Sequence, residues 1–398
     1  MVGWRLPVGL RLRTFRIAAS SVLAAQNITG AWNRSSSLQR VTRAAVCHRF
    51  GDPMMVEDVA LASPGEGEVR VRLEACAICQ SDVAYAAGAW GGRVPVVLGH
   101  EACGLVAQAG PAVSALQPGQ RVIVSLIRHC GACERCAAGE PTLCETRFPL
   151  DERSPIRFAG GGPIVQGLRT AAFAEEVVVH ASQVVPVPRH LPAASLSVLG
   201  CAVMTGVGAA QRAGRVGPGQ TVAVIGAGGV GLNAIQGAAI AGADAVIAID
   251  VADEKLAAAE AFGATAVVNA RSSDPVAALR ELAGGADVAI ATAGSARVVE
   301  QGLALLRRGG TLVVVGMPAS GEEARFDPTL LAQDGLRIVG TKMGSARPAD
   351  DIPRLVALYE DGRLKLDELV TATYPLEAID EAVASMRRGE AVRNVIVF

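Results

Sequence analysis

Thr221-Val222-Ala223-Val224-Ile225-Gly226-Ala227-Gly228-Gly229-Val230-Gly231 is the stretch that decides the fold. Its first five residues read as a buried strand. They run into G-x-G-x-x-G, and an Ala-rich helix is expected to follow through Gly242. Glycine is abundant here, 45 of 398 residues, so the pattern alone says little. The order strand, glycine turn, helix gives it meaning. Gly226 permits the tight turn, Gly228 lets a pyrophosphate approach the backbone, and Gly231 lets helix and strand pack closely. The helix N-terminus then offers unpaired N–H groups to the phosphates.

Working outward, a second strand over Ala245 to Ile249 ends at Asp250, nineteen residues after Gly231. A carboxylate there binds both ribose hydroxyls and repels a 2′-phosphate. No Arg follows directly to rescue that phosphate, so NAD is favoured over NADP. A helix over Glu254 to Phe262 and strands at Ala266 to Val268, Ala286 to Ala291 and Thr311 to Val315 continue the alternation. This pattern makes a doubly wound parallel sheet in an α/β protein. Upstream, from Val41 to about Ala194, the texture is short strands and turns. Glu68-Val69-Arg70-Val71-Arg72-Leu73 alternates as a half-buried strand does. Pro118 to Val124, Phe173 to Val179 and Val184 to Val187 extend the β character. Near the end, a helix over Ile352 to Tyr359 and a strand over Asn394 to Phe398 are expected.

Three short segments carry the chemistry: Cys79-Gln80-Ser81-Asp82, Gly99-His100-Glu101 and Gly200-Cys201. Cys79, His100 and Cys201 are candidate ligands of one metal. Two thiolates and one imidazole leave a fourth position open for water or substrate, as a catalytic zinc requires. Cys130, Cys133, Cys136 and Cys144 form a second set, spaced x2, x2 and x7. Four thiolates on one lobe close a tetrahedral site, which makes it structural. An iron–sulfur cluster is the competitor, but the last spacing is unlike the ferredoxin run. The remaining cysteines, Cys47, Cys76 and Cys103, read as buried small hydrophobes. Metal spacings of this kind argue for a reducing compartment, and the expected location is cytoplasmic.

The net charge of -1 supplies no field for nucleic acid or an anionic membrane, and no apolar run approaches a membrane span. Residues 1–40 differ from the rest. They are rich in Arg, Ser and Ala, and no acid occurs before Asp52. This composition suits a targeting segment, a disordered tail or a start assigned too far upstream.

Taken together, these motifs resemble the zinc-dependent medium-chain alcohol dehydrogenase family. The resemblance runs from about Val41 to Phe398. It rests on the three metal segments, the four-cysteine lobe, the run Gly200 to Gly206, the Gly226–Gly231 loop with Asp250, and the end Gly389-Glu390-Ala391-Val392-Arg393. It implies a GroES-like, mostly β catalytic domain over 41–201 with the structural zinc lobe at 130–144. A Rossmann NAD-binding domain over 202–341 and a return to the catalytic domain over 342–398 would complete the chain. The cofactors implied are two zinc ions per subunit and NAD, with a homodimer or homotetramer as the assembly.

By position, Cys79, His100 and Cys201 match the catalytic zinc ligands of that family. Ser81 matches the hydroxyl that contacts the substrate oxygen, Asp82 the carboxylate that orients His100, and Glu101 the near-metal carboxylate. Thr205 and Val230 resemble nicotinamide contacts, Lys255 a ribose contact and Arg393 a pyrophosphate contact. The implied reaction is hydride transfer from an alcohol held at the zinc to NAD, giving an aldehyde or ketone. Two positions depart from the family. Ala84 stands where a His often completes a proton relay, and Gln80 where a basic residue often meets pyrophosphate. Gly344-Ser345-Ala346-Arg347-Pro348 resembles the thiol-adduct formaldehyde dehydrogenase branch, which makes S-(hydroxymethyl)thiol oxidation the alternative reaction. A non-catalytic NAD-binding scaffold is the alternative of another class; it would keep the glycine loop and cysteine lobe without needing an open metal site.

Overall fold

The computed structural model describes residues 40–398, so the Arg-rich opening segment, apart from Arg40, lies outside the described residues. The glycine loop stands at the centre of a six-stranded parallel sheet. Its strands lie in the order Ala266–Asn269, Ala245–Asp250, Thr221–Ile225, Ala286–Ala291, Leu306–Val314 and Arg337–Gly340. Thr221–Ile225 is flanked by Ala245–Asp250 on one side and Ala286–Ala291 on the other. The chain reverses its direction of winding there, and ligands of such sheets bind at that crevice. All five residues of the central strand are buried, as strands covered on both faces must be.

The β-rich part consists of two sheets. One runs Val184–Pro186, Arg121–Val124, Glu101–Ala109, Glu68–Ala77, Arg393–Val397 and Val370–Pro375, with Glu176–His180 also paired to Glu68–Ala77. The other holds Arg40–Cys47 and Met55–Leu61 at its middle. Arg393–Val397 pairs antiparallel with Glu68–Ala77, Val395 opposite Ala77. The C-terminus is therefore stitched into the sheet that begins near the N-terminus. One apolar cluster packs between and behind these sheets around Val46, Val71, Phe173 and Ile396. A second is continuous from Ile123 and Leu199 to Val224 and Leu232, so it spans the β-rich part and the parallel sheet. Among the described residues, no single helix is long and apolar enough to cross a membrane.

Several boundaries differ from the sequence expectation. The strand expected at Thr311 begins at Leu306, because Leu306 pairs with Ala286 before the register shifts. Its added residues, Leu306-Arg307-Arg308-Gly309-Gly310, lack apolar periodicity. The helix expected from Ile352 begins at Pro348 and carries Pro353 inside. Pro348 is at home in a first turn, where its missing N–H would have no intrahelical partner. The strand expected from Phe173 forms only from Glu176, since Phe173 N–H instead bonds the Leu98 carbonyl at 2.8 Å. The short helices Gln80–Ala86 and Ala202–Gly208 were not anticipated. Both open directly after a cysteine of the metal set.

Candidate metal centre and cofactor cleft

Strand register brings the first two ligand segments together. Ala77 pairs with Glu101 across antiparallel strands, which sets Cys79 and His100 side by side just beyond that pair. Asp82, in the first turn of the Gln80–Ala86 helix, then ties them. Its carboxylate accepts from Cys79 N–H at 3.0 Å, Gly99 N–H at 2.8 Å and His100 Nδ1 at 3.1 Å. Asp82 and His100 have no exposed side-chain surface. This bond fixes the ring with the proton on Nδ1 and leaves Nε2 as a donor atom for a metal.

Cys201 arrives from the other direction. It precedes the Ala202–Gly208 helix, which packs on the helix of the nucleotide loop. Gly206 makes that approach possible: a Cβ there would fall 2.4 Å from the Val230 carbonyl oxygen. The helix passes into a π-helical turn, Ala209–Ala213, an irregularity frequent near functional sites.

One donor atom from each of Cys79, His100, Glu101 and Cys201 lies within 4.8 Å of the others, and all four residues are buried. His100 Nε2 and both Glu101 carboxylate oxygens have no hydrogen-bond partner. Buried polar atoms are rarely left so. Two thiols, an imidazole nitrogen and a carboxylate converging on one point fit a zinc ion by donor chemistry. The electrostatics agree. A hydrogen bond from the Cys201 thiol, then His100 and Arg393, hold the Cys79 thiol well below its usual range. Cys201 moves the opposite way, raised first by Cys79 and then by burial. Burial works to lower the His100 pKa, but Asp82 and Cys79 outweigh it and raise the pKa well above the ordinary value. Burial pushes the Glu101 carboxyl up to about 8, against the pull of Arg393.

The second cysteine set is also assembled. The sulfurs of Cys130, Cys133, Cys136 and Cys144 lie within 4.8 Å of one another on a half-buried lobe. Cys130 Sγ accepts from Ala132 N–H at 3.4 Å and Cys133 N–H at 3.2 Å. Thr146, then these backbone groups, pull the Cys130 thiol down to about 5, which favours a metal-binding thiolate. The lobe is held to the body by Arg347, whose Nε donates to the Gly139 carbonyl at 2.8 Å. The other three cysteines are fully buried, and burial lifts Cys103 to about 12.

The glycine loop has a dinucleotide's contours. Gly226 adopts φ of +95°, a Cβ on Gly231 would meet the Gly226 oxygen at 1.8 Å, and Gly228 faces open space. Asp250 ends the neighbouring strand and accepts from Ala227, Val251 and Ala252 N–H groups. Arg393 joins the two halves. Its Nη2 lies 3.5 Å from Glu101 and 4.0 Å from Cys79 Sγ, while its Nη1 stands where a Cβ on Gly229 would fall. Thr205 is buried with Oγ1 3.8 Å from Cys201 Sγ. Ser81 is half-buried in the turn that follows Cys79. Val230 lies in the first turn of the loop helix, and Lys255 in the first turn of the helix after Asp250. Ala84 is half-buried and brings no titratable group.

Sequence reasoning missed Met343. Its thioether lies 3.5 Å from Cys201 Sγ and 3.8 Å from Thr205 Oγ1. It also missed Trp90, whose indole N–H donates across the cleft to the Pro318 carbonyl at 3.1 Å. Neither belongs to a spacing pattern that could have flagged it.

The chain is similar to known proteins over most of its length. Residues 65–189 match the family model described as alcohol dehydrogenase GroES-like domain, and residues 229–361 the one described as zinc-binding dehydrogenase. An NDMA-dependent alcohol dehydrogenase of Amycolatopsis methanolica is 37% identical over 374 residues, covering 89% of this chain and 98% of that one. An S-(hydroxymethyl)glutathione dehydrogenase of Paracoccus denitrificans is 33% identical over 90% of this chain and all of its own. Among solved structures, an alcohol dehydrogenase zinc-binding domain protein from Burkholderia ambifaria superposes with a TM-score of 0.86 at 35% identity. That match covers 90% of this chain and 99% of the other.

Proposed function

The chain belongs to the zinc-dependent medium-chain alcohol dehydrogenase family, and on that premise we propose how its residues divide the work of oxidising an alcohol with NAD. The enzyme is a zinc-dependent oxidoreductase acting on alcohols and aldehydes. Cys79, His100 and Cys201 hold the catalytic zinc, with Glu101 alongside. Cys130, Cys133, Cys136 and Cys144 hold the structural one. The observation that carries this assignment is the buried convergence of the four donor atoms, with His100 Nε2 unpartnered. When bound, the zinc supplies Lewis-acid polarisation of a hydroxyl or carbonyl oxygen.

The remaining work falls to the protein. Asp82 keeps the proton on His100 Nδ1, so Nε2 stays available. Ser81 receives the substrate's hydroxyl proton. Water carries it onward, since Ala84 cannot. Thr205 and Val230 position the nicotinamide ring, and the packing of helix on helix at Gly206 keeps that position in line with the metal cluster. Arg393 and the Gly226–Gly231 loop hold the pyrophosphate. Asp250 and Lys255 hold the adenosine ribose, and the Asp250 charge supports NAD over NADP.

We divide the chain into a catalytic domain over 41–201, a Rossmann domain over 202–341 and a return over 342–398. The pairing of Arg393–Val397 with Glu68–Ala77 supports that return. We place the enzyme in the cytoplasm as a homodimer or homotetramer. Arg337–Gly340 is the open edge of the parallel sheet, and Ile338 on it is exposed, which supports self-association along that edge. A substrate panel tests the reaction: simple alcohols, and formaldehyde with and without low-molecular-weight thiols, each with NAD and NADP. Turnover of plain alcohols with NAD is expected. Turnover only of formaldehyde plus a thiol would replace this reading by the thiol-adduct reaction, which the Paracoccus relative's name favours.

A further inference from the structure

Lys342 and Arg169 are two cations with no part in the chemistry above, yet each is tethered to a different ligand segment. Lys342 immediately precedes Met343, whose sulfur touches Cys201 Sγ at 3.5 Å. Arg169 stands three residues before Ala172, whose N–H donates to the carbonyl of Gly99, the residue before His100, at 2.9 Å. Both tethers are stiff. Met343, Gly344 and Ser345 all have positive φ, at 53°, 66° and 54°. Leu168, Arg169 and Ala171 do too, at 48°, 60° and 59°. Residues with side chains adopt this region rarely, and such strain persists where the surroundings dictate it.

Lys342 is exposed, and the charge of Arg169 acts on it. Crowding by surrounding protein, and then the charge of Arg169, lower the Lys342 pKa. The Lys342 ammonium has no hydrogen-bond or ion-pair partner among the described residues. Arg169 Nε reaches Asp151 Oδ1 at 3.2 Å, but that same oxygen accepts from the buried Arg128 at 3.0 Å. Two guanidiniums thus share that carboxylate, and Lys342 has no part in it. Holding like charges together on strained backbone costs stability, and an incoming anion relieves that cost.

We infer that Lys342 and Arg169 form an anion subsite beside the metal centre, which selects alcohols bearing a carboxylate or phosphate away from the reacting hydroxyl. The inference rests on the alcohol dehydrogenase reading and deepens it. Lys342 is a specificity-determining residue here, acting on the far end of the substrate. Arg169 is the second arm, partly committed to Asp151, so the Lys342 variants carry the decision.

The test compares 4-(hydroxymethyl)benzoate with its neutral methyl ester and with 4-(hydroxymethyl)phenyl phosphate on the zinc-loaded enzyme. Calorimetric titration of the benzoate runs in parallel without NAD. The enzyme should favour the benzoate over the ester in kcat/KM by about tenfold at low salt, and the preference should shrink as salt rises. Lys342→Met should raise KM for the benzoate, bring the acid-to-ester ratio towards one, and abolish the calorimetric signal; Lys342→Arg should restore all three. A larger preference for the phosphate would identify the phosphorylated class as the source. Equal use of acid and ester by the parent enzyme would overturn the subsite. So would a Lys342→Met effect confined to the KM for NAD, which would assign these cations to the cofactor. If no alcohol turns over, the ester included, the reaction reading fails. The calorimetric comparison of parent and Lys342→Met then still decides the subsite: loss of benzoate binding supports it, and equal or absent binding in both overturns it.

Discussion

Arg393 Nη2 lies 3.5 Å from a Glu101 carboxylate oxygen, and both side chains are almost wholly withdrawn from solvent. The same guanidinium borders Gly229 in the nucleotide loop. One side chain from the last strand therefore borders both the metal cluster and the nucleotide loop. Burial raises the Glu101 carboxyl to about 8, so without Arg393 it is left as a neutral buried polar group lacking its partner, at a cost of about 1–3 kcal/mol. Arg393→Leu should lower unfolding free energy on that scale and raise the KM for NAD. Denaturant titration and steady-state kinetics check this; an unchanged KM for NAD would detach Arg393 from the cofactor.

Asp250 ends its strand with three backbone N–H groups bonded to its carboxylate. In the proposed reading its negative charge meets the adenosine ribose. Asp250→Asn should narrow the preference for NAD over NADP by on the order of tenfold, the scale of one exposed charge interaction. The ratio of kcat/KM for the two cofactors reads this directly. A ratio equal to that of the parent would mean another residue sets the choice.

The four-cysteine lobe is anchored by Arg347 to Gly139 and holds its four sulfurs within 4.8 Å of one another. Cys133→Ser should reduce the zinc content from about two per chain to about one and lower Tm. Cys201→Ser should also remove about one zinc but abolish turnover, because its metal is the reacting one. Metal analysis beside an activity assay separates the two. Full zinc content in either variant would strike that cysteine from its ligand set.

The Cys103 thiol is fully buried, and burial lifts its pKa to about 12. In the unfolded chain the same thiol ionises near 8.5. Above that pH the unfolded state sheds a proton that the folded state keeps, so stability falls as pH rises. The contribution is intact below about pH 8.5 and is lost progressively towards pH 12. Urea titrations between neutrality and pH 10 should show a gentler decline for Cys103→Ala than for the parent. Identical slopes would show that the buried thiol plays no part.

Much of this was readable along the chain because the signals are local. A buried strand running into Gly226-Ala227-Gly228-Gly229-Val230-Gly231 states its own geometry, since only glycine tolerates the turn and the close approach. The cysteine lobe is equally local, with four ligands inside fifteen residues, Cys130 to Cys144. Cys79, His100 and Cys201 were identified from residue type and order, although nothing in their spacing says that they meet.

Their meeting belongs to tertiary structure. Cys79 and His100 come together through the pairing of Ala77 with Glu101, and Cys201 through a helix seated on the nucleotide loop. Arg393 reaches both sites only because the last strand returns to pair with Glu68–Ala77. Met343, Lys342 and Arg169 were invisible beforehand, for what matters in them is proximity across the fold. Periodicity and motif spacing record what neighbours along the chain must do. Contacts between residues more than a hundred positions apart depend on how whole sheets stack, and that is decided by burying the two apolar clusters together.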